Sequence, residues 1–143
     1  MKKLFTIAGL MLLTFYANAQ SDYLIGVSET KSFSEKITKL FFEQKISEAT
    51  KELKKFWPIS ENEVASFEEK TIKYLNLISD RFGNPIDFVK IKNEVILDFA
   101  IRETFLIRYD NTAIRVLFTY YKNKKGWIVN AFKWDDSFTE EFK

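Results

Sequence analysis

At Asn84-Pro85 the hydrophobic period of this 143-residue chain changes, and that change constrains the fold more than any motif does. Before it, apolar residues recur at helical spacing. After it, β-branched and aromatic residues alternate along the chain, the period of a strand with two different faces. Helices followed by strands, with no return to helical spacing, describe an α+β domain whose helices pack on one side of an antiparallel sheet.

The helical half divides at its own punctuation. Phe33, Ile37, Leu40 and Phe41, then Ile46, Ala49, Leu53 and Phe56, predict two short helices or one bent helix, with Ser32 or Ser34 as the N-cap. Trp57-Pro58 stops this element, because a proline disfavours helical geometry at the residue before it. Ser60 followed by Glu63 reads as a capping box, and the helix it opens runs through Val64, Phe67, Thr71, Leu75, Ile78 and Phe82 to a glycine cap at Gly83.

Four strands follow, over residues 86–92, 95–109, 113–122 and 127–135. The second is long enough to need a bulge or bend. Asp110-Asn111 and residues 123–126 are short polar breaks, and connections that short join antiparallel neighbours, so the last three strands form a meander. A two-residue turn at Asp110-Asn111 sets Ile107 opposite Ile114, Phe105 opposite Val116, Glu103 opposite Phe118 and Ile101 opposite Tyr120. Pairing Lys122 with Trp127 adds Val129 and Ala131 to the same apolar face, which the helices are expected to cover. The opposite face then carries Arg102, Arg108, Arg115, Leu117, Tyr121, Phe132 and Trp134, with Trp134 facing Arg115 and Phe132 facing Leu117.

Composition narrows the chemistry. The chain has no cysteine and no histidine, which removes thiol nucleophiles, disulfides, zinc clusters and Ser-His-Asp triads. No acidic cluster has the loop spacing of a calcium site, so no metal and no cofactor is expected. Lys2 and Lys3, the apolar run 4–16 and Ala17-Asn18-Ala19 form the pattern of a secretory signal peptide over residues 1–19, too short to span a bilayer. The expected address is the periplasm or the exterior, with no membrane anchor after cleavage. Loss of that segment turns 22 basic and 20 acidic residues into 20 of each, interspersed along the chain. A neutral chain with no basic face gives no reason to expect a nucleic-acid partner. Residues 20–31 show little periodicity and read as a flexible arm before a single domain over 32–143.

The order of helices and meander, with Ile114-Arg115-Val116-Leu117-Phe118-Thr119-Tyr120-Tyr121-Lys122 and then the Gly126-Trp127 strand to Asp136, resembles the nuclear transport factor 2-like superfamily, the cystatin-like α+β roll, most of all its secreted bacterial members of unknown function. The resemblance implies a cone-shaped roll able to enclose a pocket, and homodimers through the outer sheet face. It implies no single activity, since this fold hosts isomerases, dehydratases, hydrolases and binding modules. The histidine of the dehydratase type is absent, and the tyrosine and aspartates of the isomerase type have no match.

Glu103 is the sharpest candidate, because it falls in phase with Phe99, Ile101, Phe105 and Ile107 on the face expected to be buried. A buried carboxyl is costly unless paired or neutral. It reads either as a pocket acid, acting as general base or as donor to a ligand with Tyr120 beside it, or as the partner of an Arg, Tyr or Lys at the rim, or as a group swung outward by a bulge near Arg102. The candidate ligand-binding set is Glu103, Tyr120, Phe118 and Phe99, and Glu103 and Tyr120 are the only catalytic candidates. On the outer face, Arg115, Leu117, Tyr121, Phe132 and Trp134 form the candidate interface, as an apolar patch with a guanidinium among rings. The leading expectation is a non-catalytic binding domain for a small apolar or amphipathic molecule or a protein partner. The alternatives are a cofactor-free enzyme of proton transfer or hydrolysis built on Glu103, and a structural interaction protein with a filled cone.

Overall fold

The computed structural model describes residues 22–143, so the expected signal peptide lies outside the described residues. Three helices, α1 (Val27–Phe42), α2 (Ile46–Phe56) and α3 (Glu61–Phe82), precede four strands, β1 (Pro85–Ile96), β2 (Ala100–Tyr109), β3 (Ala113–Lys122) and β4 (Trp127–Asp135), and a 3₁₀ turn at Phe138–Phe142. The sheet is a meander in the order β1-β2-β3-β4, antiparallel throughout. The period change at Asn84-Pro85 is thus the boundary between two layers of an α+β domain.

Helix ends follow local chemistry. Ser60 Oγ accepts from the Glu63 N–H at 3.2 Å while the Glu63 carboxylate accepts from the Ser60 N–H at 2.8 Å, closing the expected capping box. Gly83 ends α3 at φ 89°, and a Cβ there would lie 2.2 Å from Asp110 Oδ2, so the turn into β1 requires glycine. The first element divides into two helices at Gln44, which adopts φ 60°.

The start of α1 corrects the expected flexible arm. Leu24 is buried and forms a bridge with Trp127, each N–H donating to the other's carbonyl at 3.0 and 2.7 Å. α1 then begins at Val27, five residues before Ser32, on a Gly26 cap that supplies no side chain. Glu29 reaches back to accept from the Ile25 N–H at 2.7 Å. No Ser or Asp signals this end, and Ser34 lies inside the helix with its side chain in the core.

The β2–β3 register is as expected: Ile107 faces Ile114, Phe105 faces Val116, Glu103 faces Phe118 and Ile101 faces Tyr120. Two expectations fail. The break near Asn93 is absent; β1 continues to Ile96 and the turn falls at Leu97-Asp98-Phe99, where Leu97 takes φ 47°. In β4 the register holds from Trp127 to Val129 and then slips, because Asn130 is an extra residue between the Tyr120–Val129 and Thr119–Ala131 pairs. Every side chain beyond that bulge changes face.

The slip moves Ala131 to the outer face and brings Phe132 and Trp134 inward. Phe132 becomes the hub of the core, with ring centroids of Phe118, Phe41, Phe67 and Trp57 at 5.0, 5.4, 5.7 and 5.9 Å. It joins the sheet to all three helices. Trp134 packs toward α3, its indole N–H donating to Thr71 Oγ1 at 3.0 Å.

Candidate functional site

α1 presents a polar stripe to the core. Thr30, Ser34 and Thr38 recur every four residues beside Phe33, Ile37 and Phe41, and all six are buried. Thr30 and Thr38 return their hydroxyls to α1 carbonyls, at 2.8 Å each. Ser34 instead crosses to the sheet, donating to Glu103 Oε2 and lying 2.6 Å from the Tyr120 hydroxyl. Lys90 Nζ donates to the other carboxylate oxygen, Oε1. Glu103 is fully buried, on the face the register predicts, and its partners come from α1 and β1.

The protons can be assigned by counting donors. Two hydroxyl hydrogens serve this cluster, and an ionised carboxylate only accepts. Ser34 donates to Glu103 and the Tyr120 O–H donates to the Thr30 carbonyl at 3.1 Å, while the two hydroxyl oxygens lie 2.6 Å apart. Glu103 thus accepts from Ser34 at one oxygen and from the Lys90 ammonium at the other. Burial pushes the Tyr120 hydroxyl far above the usual phenol range; the Ser34 hydrogen bond opposes that shift and the Glu103 charge reinforces it. Tyr120 is a fixed donor across all physiological pH.

Lys90 reaches this cluster through a bulge. Lys90 pairs with Phe105 and Lys92 with Thr104, so Ile91 is the extra residue between them. If Ile91 were paired as an ordinary strand residue, residues 90 and 92 would share a face. With that extra residue, Lys90 turns inward to Glu103, its ammonium 5.4 Å from the Phe105 ring, and Lys92 turns outward to Glu141 at 2.5 Å.

The cluster brings together Glu103 and Tyr120, both fully buried and hydrogen-bonded to protein partners. Phe118 is fully buried and stacked on Tyr120, with centroids 6.2 Å apart. Phe99 does not face this cluster: it sits in the β1–β2 turn, half-exposed, with its ring against Tyr121 at 6.2 Å. The larger clefts on the described residues are lined by other side chains. Ser34 was expected only as an N-cap, and Lys90 was not singled out in the sequence. The signal for Ser34 was the four-residue spacing of Thr30, Ser34 and Thr38 on the apolar stripe of α1; the signal for Lys90 is erased by the bulge.

The expected interface residues separate in the same way. Arg115, Leu117 and Tyr121 face outward, whereas Phe132 and Trp134 do not. The Arg115 guanidinium is held by Asp135 in two bonds of 2.8 Å and by Glu141 at 2.7 Å. Two carboxylates neutralise it and raise its already high pKa, and Arg115 in turn holds the Asp135 carboxyl below its ordinary range. The 3₁₀ turn that carries Glu141 is tied to this part of the outer face.

A cleft with a volume of about 530 Å³ lies between α3 and the end of β4. Phe67, Ile78, Phe82 and Trp134 form its apolar lining, and the exposed Tyr74 and Leu77 stand at its rim. Lys70 and Arg81, which also line it, have no acidic partner among the described residues. Of the acids there, Asp135 is bound by Arg115, and Asp136 has no ion-pair partner among the described residues.

No family model, no curated protein and no solved structure matches this chain.

Proposed function

We propose that this chain is a non-catalytic binding domain of an exported protein, periplasmic or secreted, which holds a small amphipathic molecule in the cleft between α3 and β4. The observation that carries the reading is the cleft itself. Its volume of about 530 Å³ lies in the range of small-molecule sites, and its apolar lining with a few polar groups is their usual composition. The helices-first order and the four-stranded meander support a nuclear transport factor 2-like roll as its fold family.

The test is titration with lauric acid, and separately with 8-anilinonaphthalene-1-sulfonate, read by intrinsic tryptophan fluorescence and thermal midpoint. Binding is expected to raise the midpoint. Leu77→Arg, on an exposed rim position, should abolish that shift without changing the unliganded midpoint. If neither probe shifts wild type, this reading fails. The closed Ser34–Glu103–Tyr120 cluster favours a second reading in that event, a structural interaction protein with a filled interior. The enzyme built on Glu103 has less support, because its carboxylate oxygens are already taken by Ser34 and Lys90. A homodimer through the outer face would rest on Leu117 and Tyr121 without the two rings now in the core.

A further inference from the structure

The end of the sheet opposite the cleft carries an anomaly of a different kind. There the β1–β2 turn and the residues preceding α1 expose a group of large apolar side chains: Leu97 is 81% exposed, Ile25 82%, Val95 57% and Val27 44%. These four line one hollow of about 340 Å³, together with Lys31 and Lys122. Ile96 and Phe99 extend the apolar surface around the same turn. Single exposed apolar residues are ordinary, but a contiguous group marks a surface that something covers.

Leu97 is doubly unfavourable where it stands. Its φ of 47° lies in the left-handed region, where glycine or asparagine is the usual occupant, and its side chain is directed into water. An asparagine would satisfy both demands of the isolated fold. A leucine in a turn that favours asparagine, beside an isoleucine equally exposed, is accounted for by an apolar medium at this tip.

Charge identifies the medium. Lys31 and Lys122 line the hollow, and Lys124 and Lys125 occupy the adjacent β3–β4 turn, all four exposed and none in an ion pair among the described residues. Asp98 is the one acid that lines it. Apolar tips beside ammonium groups with no carboxylate partner, two of them, Lys122 and Lys125, lying over the Trp127 and Tyr23 rings, match the layered chemistry of a lipid surface, acyl chains below anionic headgroups.

We propose that this end of the molecule docks on an anionic lipid surface, with Leu97 and Ile25 entering the boundary of the acyl region and the four lysines at headgroup level. The contact is peripheral: among the described residues no helix is long and apolar enough to cross a membrane. The proposal is independent of the α3–β4 cleft, which opens at the other end of the sheet.

The test is co-flotation of the chain from Gln20 onward, which carries every described element, with vesicles of equal parts phosphatidylcholine and phosphatidylglycerol, against vesicles of phosphatidylcholine alone. Binding to the mixed vesicles is expected, weakening as salt is raised. Leu97→Asn should lower it on the order of tenfold or more through lost apolar burial. The same substitution should leave the thermal midpoint unchanged or raise it, since asparagine tolerates positive φ. That combination separates docking from folding. Lys124→Glu with Lys125→Glu should remove the preference for anionic vesicles. The proposal is overturned if wild type does not float, if L97N floats equally well, or if sedimentation shows self-association that L97N abolishes, which would make a second copy of the chain the occupant.

Discussion

Lys90→Met isolates the energetics of the buried carboxylate. The substitution keeps an unbranched apolar stem, which can still pack on Phe105, and removes only the ammonium that meets Glu103 Oε1. Two regimes predict very different costs. An exposed ion pair contributes about 0–1 kcal/mol, whereas removing one partner of a buried pair costs about 3–5 kcal/mol, because a charge is left in the core without compensation. The structure places Glu103 in the second regime: its side chain is inaccessible to solvent, while that of Lys90 is 26% accessible. Ser34 would remain as a single neutral donor to the other oxygen. We therefore expect a loss of about 3–5 kcal/mol, a large part of the ~5–15 kcal/mol that holds an ordinary domain.

The assay is urea denaturation followed by far-UV circular dichroism. With a slope of about 1–3 kcal/mol per molar for a domain of this size, the midpoint should fall by roughly 2 M. The double variant Lys90→Met/Glu103→Leu completes the experiment. Replacing both charges by apolar groups removes the penalty as well as the attraction, so it should be far closer to wild type than K90M alone. A K90M cost below about 1 kcal/mol would mean that water reaches the carboxylate when the lysine is gone. A double variant no better than K90M would refute the claim that the uncompensated charge is the cause.

Two further outcomes follow from the same coordinates. Burial pushes the Tyr109 hydroxyl up to about 12, and Tyr120 is raised as well, so the folded chain keeps protons that the unfolded chain releases from about pH 10. Stability should be undiminished by these groups below pH ~10 and fall above it by about 1.4 kcal/mol per pH unit per tyrosine. The Tyr109 hydroxyl has no hydrogen-bond partner among the described residues, so Tyr109→Phe should halve that slope and be no less stable at pH 7; a loss above about 1 kcal/mol in urea titrations would count against it. Deleting Asn130 should preserve cooperative unfolding, since it removes only the extra residue and leaves Ala131 opposite Thr119 and Phe132 opposite Phe118, with the large core ring still inward. A deletion variant that loses the native near-UV spectrum would show that the bulge does more than set which side chains of β4 face the core.

How much of this was legible in the chain depends on what kind of information a period carries. Spacing at 3.6 residues located α2 and α3, and spacing at two located β3 and β4, because regular burial writes itself into regular alternation. The β2–β3 pairing followed from one short turn. Alternation holds no record of an extra residue, however, and so Ile91 and Asn130 went unseen as bulges. The β1–β2 turn was missed for a related reason: Asn93-Glu94 has turn chemistry and continues the strand, while Leu97 has strand chemistry and takes the left-handed conformation. Glu103 was found because it broke the pattern of its own face. Ser34 was not, because a serine near the start of a helical pattern reads first as a cap.

These misses have a common physical root that bears on the site. A strand without bulges gives each face every second residue, so a cation pair spaced as Lys90 and Lys92 would serve one face. The extra residue Ile91 assigns one to Glu103 in the core and the other to Glu141 on the outer surface. In β4 the extra residue Asn130 places Phe132 in the core and Asp135 on the outer face, where it meets Arg115. The buried carboxylate is thus compensated, and the aromatic core is closed, by two single-residue departures from the sheet's period. The interior that alternation alone would have left with an unpaired acid and a missing ring is filled. The α3–β4 cleft and the β1–β2 tip both lie outside this interior.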